Sequence, residues 1–234
     1  MERRKLEELN LLDDFLFQEA VTRGEKGEEF CRVLLGTILE KEIRKVKVIP
    51  QKSILGTGTE KHGIKIDAKI LRSGADYHEL KNVIIIMILS YDPFGKNRMV
   101  YTFENHCKED NTIECNDGTR TIYLYTKGTE GNPSKELQNM LKYIEETTLE
   151  NAADETLKNL HNYVEEIRHD EEVGINYMKA FELEMMYKEE GLKAVIETCK
   201  EFGESYGDTL IRIMEKFSLS KSSAEESMEK FWNE

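Results

Sequence analysis

The chain has 234 residues, 39% of them hydrophobic and 34% charged, a length that holds one sizeable core plus an appendage, or two small domains. Its net charge of −13 is uneven: residues 1–133 carry 21 Lys and Arg against 22 Asp and Glu, and residues 134–234 carry 12 against 24, so the second part is a poor surface for phosphate. No apolar stretch approaches the roughly 20 residues of a membrane span, and MERRKLEELN lacks the apolar segment of a secretory signal, so a cytoplasmic protein with no membrane partner is expected.

In chain order, Leu12, Phe15, Leu16 and Glu19 lie at helical spacing behind Asp13 and Asp14, which suit a helix N-terminus. A second helix is predicted over 27–40, with Phe30, Val33, Leu34, Ile38 and Leu39 as its buried stripe. Val46, Val48 and Ile49 form a short strand ended by Pro50. Gly58-x4-Gly63 has the glycine spacing of a phosphate loop, but Ile64 stands where Lys belongs and the pattern turns to strand, so that motif is rejected. GIKIDAKI, from Gly63 to Ile70, alternates apolar Ile64, Ile66, Ala68 and Ile70 with Lys65, Asp67 and Lys69, the signature of a strand buried on one face. The uninterrupted run VIIIMIL from Val83 to Leu89, closed by Asp92-Pro93-Phe94-Gly95, is expected to be the central strand, buried on both faces, with Phe94 tucked under the sheet.

Arg98 to Phe103, with Met99, Tyr101 and Phe103 alternating, makes a fourth strand, and TIYLY (Thr121 to Tyr125) forms another after a polar excursion from Glu104 to Arg120. Gly128, Gly131, Asn132 and Pro133 make a linker-like turn that puts a domain boundary between 133 and 134, with Ser134 as N-cap of the helix that follows. The rest is helical. Leu137, Leu141 and Ile144 mark one helix; Leu157, Leu160, Val164 and Ile167 a second; Tyr177, Phe181 and Met185 a third. The tail adds Leu192 to Phe202, then Leu210 to Phe217, then a helix capped near Ser220 that presents Ala224, Met228, Phe231 and Trp232.

Few constellations carry chemistry by themselves. His106, Cys107 and Cys115 share the polar excursion but lack the second close Cys or His pair of a zinc site, and with Cys31 and Cys199 the cysteines suit reduced thiols. His161 and His169, on an acidic helical stretch, read as surface residues. Glu19 reads as core-edge packing or a surface ion pair, and the basic run Lys41, Arg44, Lys45 and Lys47 as a solvated helix end and strand face. The acidity of the helical half argues against a helix-turn-helix DNA reader.

Several stretches together resemble the PD-(D/E)XK nuclease-fold transposase-like proteins, the recombination-promoting nucleases. They are DDFLF (Asp13 to Phe17), KVKVIPQK (Lys45 to Lys52), HGIKIDAKI (His62 to Ile70), YHELKNVIIIMILSYDPFGKNRMVYTFEN (Tyr77 to Asn105) and TIYLYTKGT (Thr121 to Thr129), followed by a tail with GLKAVIETCKEFG and IMEKFSLSKSSAEESMEKFW. The resemblance implies an α/β (α+β) fold: a restriction-endonuclease-like mixed sheet flanked by helices over 1–133, with an all-α appendage over 134–234. It also implies, in active members, Mg²⁺-dependent DNA cleavage. An Asp on one strand and a Glu on the next hold the ion, whose preference is for hard carboxylate oxygens, and a Lys or Gln two residues after the Glu positions the water that the metal acidifies. Asp67 matches the family's metal-binding Asp.

The sequence departs from the family just beyond that point. Ala68-Lys69-Ile70 runs almost directly into LRSGADY, where members have a strand with Glu-x-Gln or Glu-x-Lys and then a helix, so about 30 residues are missing. Glu79-Leu80-Lys81 is itself a Glu-x-Lys that one strand would put on one face, although in the family register ELK belongs to the loop entering the later strand. Two readings follow. In one, Asp67 and Glu79 hold Mg²⁺ and Lys81 assists, giving a DNA endonuclease. In the other, the copy is catalytically impaired and its helical region serves homo-oligomerisation or partner binding.

Overall fold

The computed structural model describes residues 4–44, 63–70, 82–110, 112–113 and 119–232, for 67–70 and 82 the backbone alone. Among them are seven α-helices and a four-stranded mixed open sheet: α1 (Asp14–Thr22), α2 (Gly24–Leu39), β1 (Gly63–Ile70), β2 (Asn82–Leu89), β3 (Val100–Glu104), β4 (Arg120–Tyr125), α3 (Lys135–Glu145), α4 (Glu155–Arg168), α5 (Glu171–Glu201), α6 (Tyr206–Phe217) and α7 (Lys221–Phe231). The chain is thus mixed α/β. The strand expected at 46–49 lies outside the described residues.

Strand order is β1-β2-β4-β3, with β1 antiparallel to β2, β2 parallel to β4 and β3 antiparallel to β4. The register sorts the side chains into two faces by strict alternation. One face carries the rows Ile64–Ile88–Leu124–Val100 and Ile66–Ile86–Ile122–Thr102. Ile64, Ile84, Ile86, Ile88, Ile122 and Leu124 are buried there. The other face carries Lys65–Met87–Tyr123–Tyr101 and Asp67–Ile85–Thr121–Phe103. On it Val83, Ile85 and Met87 are half-buried, so β2 is interior in the sheet but not sealed on both sides as its composition suggests. Ile38 and Leu39 of α2, Val100, Ile122 and Leu137 border one cavity of about 740 Å³, which sets the end of α2 and the start of α3 against the buried face near β3.

The described residues fall into two compact units, the chain passing from one to the other between Asp170 and Glu171. The first extends past 133/134, where charge and turn residues put the boundary, because polar groups bind α3 and α4 to the N-terminal segment. Leu11 N–H donates to Thr147 Oγ1 (2.9 Å), Thr147 N–H to Asn10 Oδ1 (2.9 Å), and Tyr163 Oη to the Ala20 carbonyl (2.8 Å). The buried Arg168 guanidinium donates to the carbonyls of Leu9 and Thr147. Gly27 permits the α1–α2 corner: a Cβ there would lie 2.7 Å from the Val21 carbonyl oxygen. His161 is buried rather than exposed. It shares a helical face with Leu157, Leu160, Val164 and Arg168, and its Nδ1 lies 3.2 Å from Tyr143 Oη.

The second unit is all-helical. Leu192 and Ile196 of α5 pack with Ile213, Ala224, Met228 and Phe231, flanked by Leu210, Met214, Phe217 and Trp232. The stripes expected at 177–185 and 192–202 belong to one 31-residue helix, since no proline or cap interrupts them. Among the described residues no helix is long and apolar enough to cross a membrane.

Candidate functional site

Asp67 lies on β1 directly opposite Ile85 of β2. Hard-cation chemistry asks for a second carboxylate beside it, on the adjacent strand or within reach of one ion at its short oxygen distances. The adjacent strand reads NVIIIMIL and β4 reads RTIYLY, neither with an acidic residue. Glu104 of β3 occupies the opposite face, in the row Ala68–Ile84–Arg120–Glu104, and is three strands away, about 14 Å at ordinary strand spacing. Glu79 and Lys81 lie outside the described residues. β2 and β4 thus bring no carboxylate to the rows beside Asp67, and no group of three His, Cys, Asp or Glu side chains among the described residues is arranged to hold a metal.

The remaining candidates take structural places. Glu19 sits half-buried on α1, one turn from Arg23, whose guanidinium pairs with Asp170. Cys107 Sγ lies 3.4 Å from Glu109 Oε2 and its backbone N–H donates to the Ile113 carbonyl; Cys115 is outside the described residues. His169 is exposed and bonds the Glu165 carbonyl through Nδ1 (2.8 Å), closing the end of α4. Lys41 and Arg44 are exposed and border a shallow cavity of about 510 Å³ with Arg32. Arg32 is paired with Glu29, and Arg44 lies 3.9 Å from Glu42, which lowers the net positive charge on offer. Lys45 and Lys47 are outside the described residues.

The turn Asp92-Pro93-Phe94-Gly95, expected from the sequence only as the close of β2, builds an aromatic cluster on the Asp67 face. The Asp92 carboxylate accepts from the backbone N–H groups of Phe94 and Asn97 and from Tyr101 Oη (2.8 Å). Desolvation works against its charge, but these donors and the Gly95 N–H outweigh it and hold the carboxyl down at about 2. The turn so fixed does not tuck Phe94 under the sheet. The ring stays 40% exposed and stacks edge-on against Tyr101 (4.8 Å) and Tyr123 (5.1 Å), with the 48% exposed Phe103 at 5.0 Å. Asp at the head of a Pro-Phe-Gly turn, followed by two alternating aromatics, was the available signal. Comparison with protein-family models, with curated proteins and with solved structures finds no match.

Proposed function

We propose that the chain is a shortened member of the PD-(D/E)XK transposase-like nuclease family, ancestrally a Mg²⁺-dependent DNA endonuclease, whose metal centre is incomplete and which works as a non-catalytic interaction protein on that fold. The observation that carries the reading is the residue facing Asp67: the neighbouring strand offers Ile85, not a carboxylate. A lone Asp binds Mg²⁺ weakly without substrate phosphate, and without a bound metal the attacking water keeps its ordinary pKa. The aromatic turn on the same face and the acidic helical half suit contact with other molecules better than bond cleavage.

The test is plasmid nicking by the purified chain with Mg²⁺, beside Asp67→Ala and Glu79→Ala, each checked for folding by circular dichroism. No cleavage by a folded native chain is expected. Cleavage that both substitutions abolish overturns the proposal and establishes Asp67 and Glu79 as parts of a working centre.

A further inference from the structure

The first half of α5 is apolar where a solvated helix should be polar. Within 13 residues it exposes Ile175 (52%), Met178 (46%), Leu183 (46%), Met185, Met186 (48%) and Tyr187. The core-facing line of the same helix, Leu192, Val195 and Ile196, serves the packing with α6 and α7, and Cys199 is buried one turn further on. At 100° per residue Ile175, Lys179, Glu182 and Met186 point about 80–140° away from Leu192 and Met178 about 40°, so the seam is a surface apart from the core-facing line, with Met178 at its near edge. Its spacing is 4-3-4 through Ile175, Lys179, Glu182 and Met186, the seam pattern of two paired helices, with Met178 and Leu183 on its flanks. Lys179 and Glu182 are exposed and join no ion pair among the described residues.

We infer that this stripe docks a second copy of the chain, α5 against α5 in antiparallel sense, about a two-fold axis between Ala180 and Phe181. That register is the one in which the sequence complements itself. Lys179 of each copy meets Glu182 of the other, giving two equivalent ion pairs at the centre. Ile175 meets Met186 at both ends, and Met178 meets Leu183 on the flanks. A two-fold interface uses one patch twice, and a patch with Lys at one position and Glu at its symmetry mate satisfies that condition. A parallel pair would set Lys179 against Lys179 and Glu182 against Glu182. The seam covers about 16 Å of helix, well short of a standard interface, so association in the micromolar range, about 10–100 µM, is expected. The inference rests on the interaction-protein reading only for what the assembly serves; nicking decides that reading separately, so the two can fail independently.

Sedimentation velocity of the full chain from about 5 to 500 µM tests it, with Lys179→Glu and Glu182→Lys as variants; both positions are exposed, and circular dichroism confirms the fold. A concentration-dependent dimer is expected from the native chain, weakened about tenfold or more in either variant. An equimolar mixture of the two variants regains it as a heterodimer, because each mixed pair is again opposite in sign. A chain monomeric throughout, which leaves the stripe to a different partner, overturns the inference. So does a dimer indifferent to both reversals, or a mixture that fails to recover.

Discussion

Replacing Arg168 by Ala is expected to cost about 3–4 kcal/mol of folding stability, more than any ordinary surface change. The side chain is 7% exposed and lies at the end of α4. Its Nη2 donates to the Leu9 carbonyl and to the Thr147 carbonyl (3.2 Å), and its Nη1 to Glu165 Oε1 (2.6 Å). A hydrogen bond to a charged group contributes about 1.5–3 kcal/mol, so the two buried carbonyl bonds are worth about 3–6. The Glu165 pair, open to solvent on the acid's side, adds less than about 1. Against this stands the desolvated guanidinium, whose Nε has no hydrogen-bond partner among the described residues and which draws the total toward the lower end. Truncation also strands two carbonyls in the interior. Arg168→Lys keeps the charge without the planar fork and should lose about half as much. Urea denaturation followed by circular dichroism gives the free energies, and hydrogen exchange of peptides covering 9–22 and 143–151 reports on the first unit alone. An Arg168→Ala chain within about 1 kcal/mol of native, with unchanged exchange in both segments, would refute the reasoning.

Two further outcomes follow from the same unit. Tyr163→Phe removes the donor to the buried Ala20 carbonyl and should lower stability by about 1 kcal/mol, read by the same denaturation; no change would mean that the carbonyl finds another donor. Burial pushes the pKa of His161 down, with Glu165 opposing and Arg168 reinforcing, so it lies below its ordinary 6.5. The unfolded chain then binds the proton more readily than the native one, and stability falls as pH drops from about 6.5 toward the native value. Melting curves at pH 7.5, 6.5 and 5.5 should show the gap between native and His161→Gln narrowing as pH falls; parallel curves would contradict it.

Much of the architecture is legible in residue order, and the site far less. Ser134 and Ser220 announce their helices because a hydroxyl before a periodic run is the local solution to orphan N–H groups, and both act as N-caps, on Leu137 and Ser223. The alternation in GIKIDAKI marks β1 as an eight-residue strand for an equally local reason. VIIIMIL misleads in one respect, since an unbroken apolar run says nothing about how completely each face is covered. His161 was hidden by its acidic neighbours in sequence, although its i,i+3 and i,i+4 partners are Val164 and Leu157. The union of α3 and α4 with the N-terminal segment draws on Thr147 and Arg168, polar residues whose partners in that segment, Asn10, Leu11 and Leu9, lie more than a hundred positions away, and no window along the chain can reveal that. Asp67 marks a strand face; what stands opposite it is a matter of register.

Leu9 and Leu11 meet Arg168 and Thr147 across separations of 159 and 136 residues. During synthesis at about 5–20 residues per second, the segment around α1 therefore waits roughly 7 to 30 s, apolar and uncovered, before its polar anchors have been made. Contacts of such span are the slow ones to close. The helices that finish the first unit thus act as a latch on its earliest part, and a ribosome paused before Arg168 would hold a chain whose beginning is still open to chaperones and proteases.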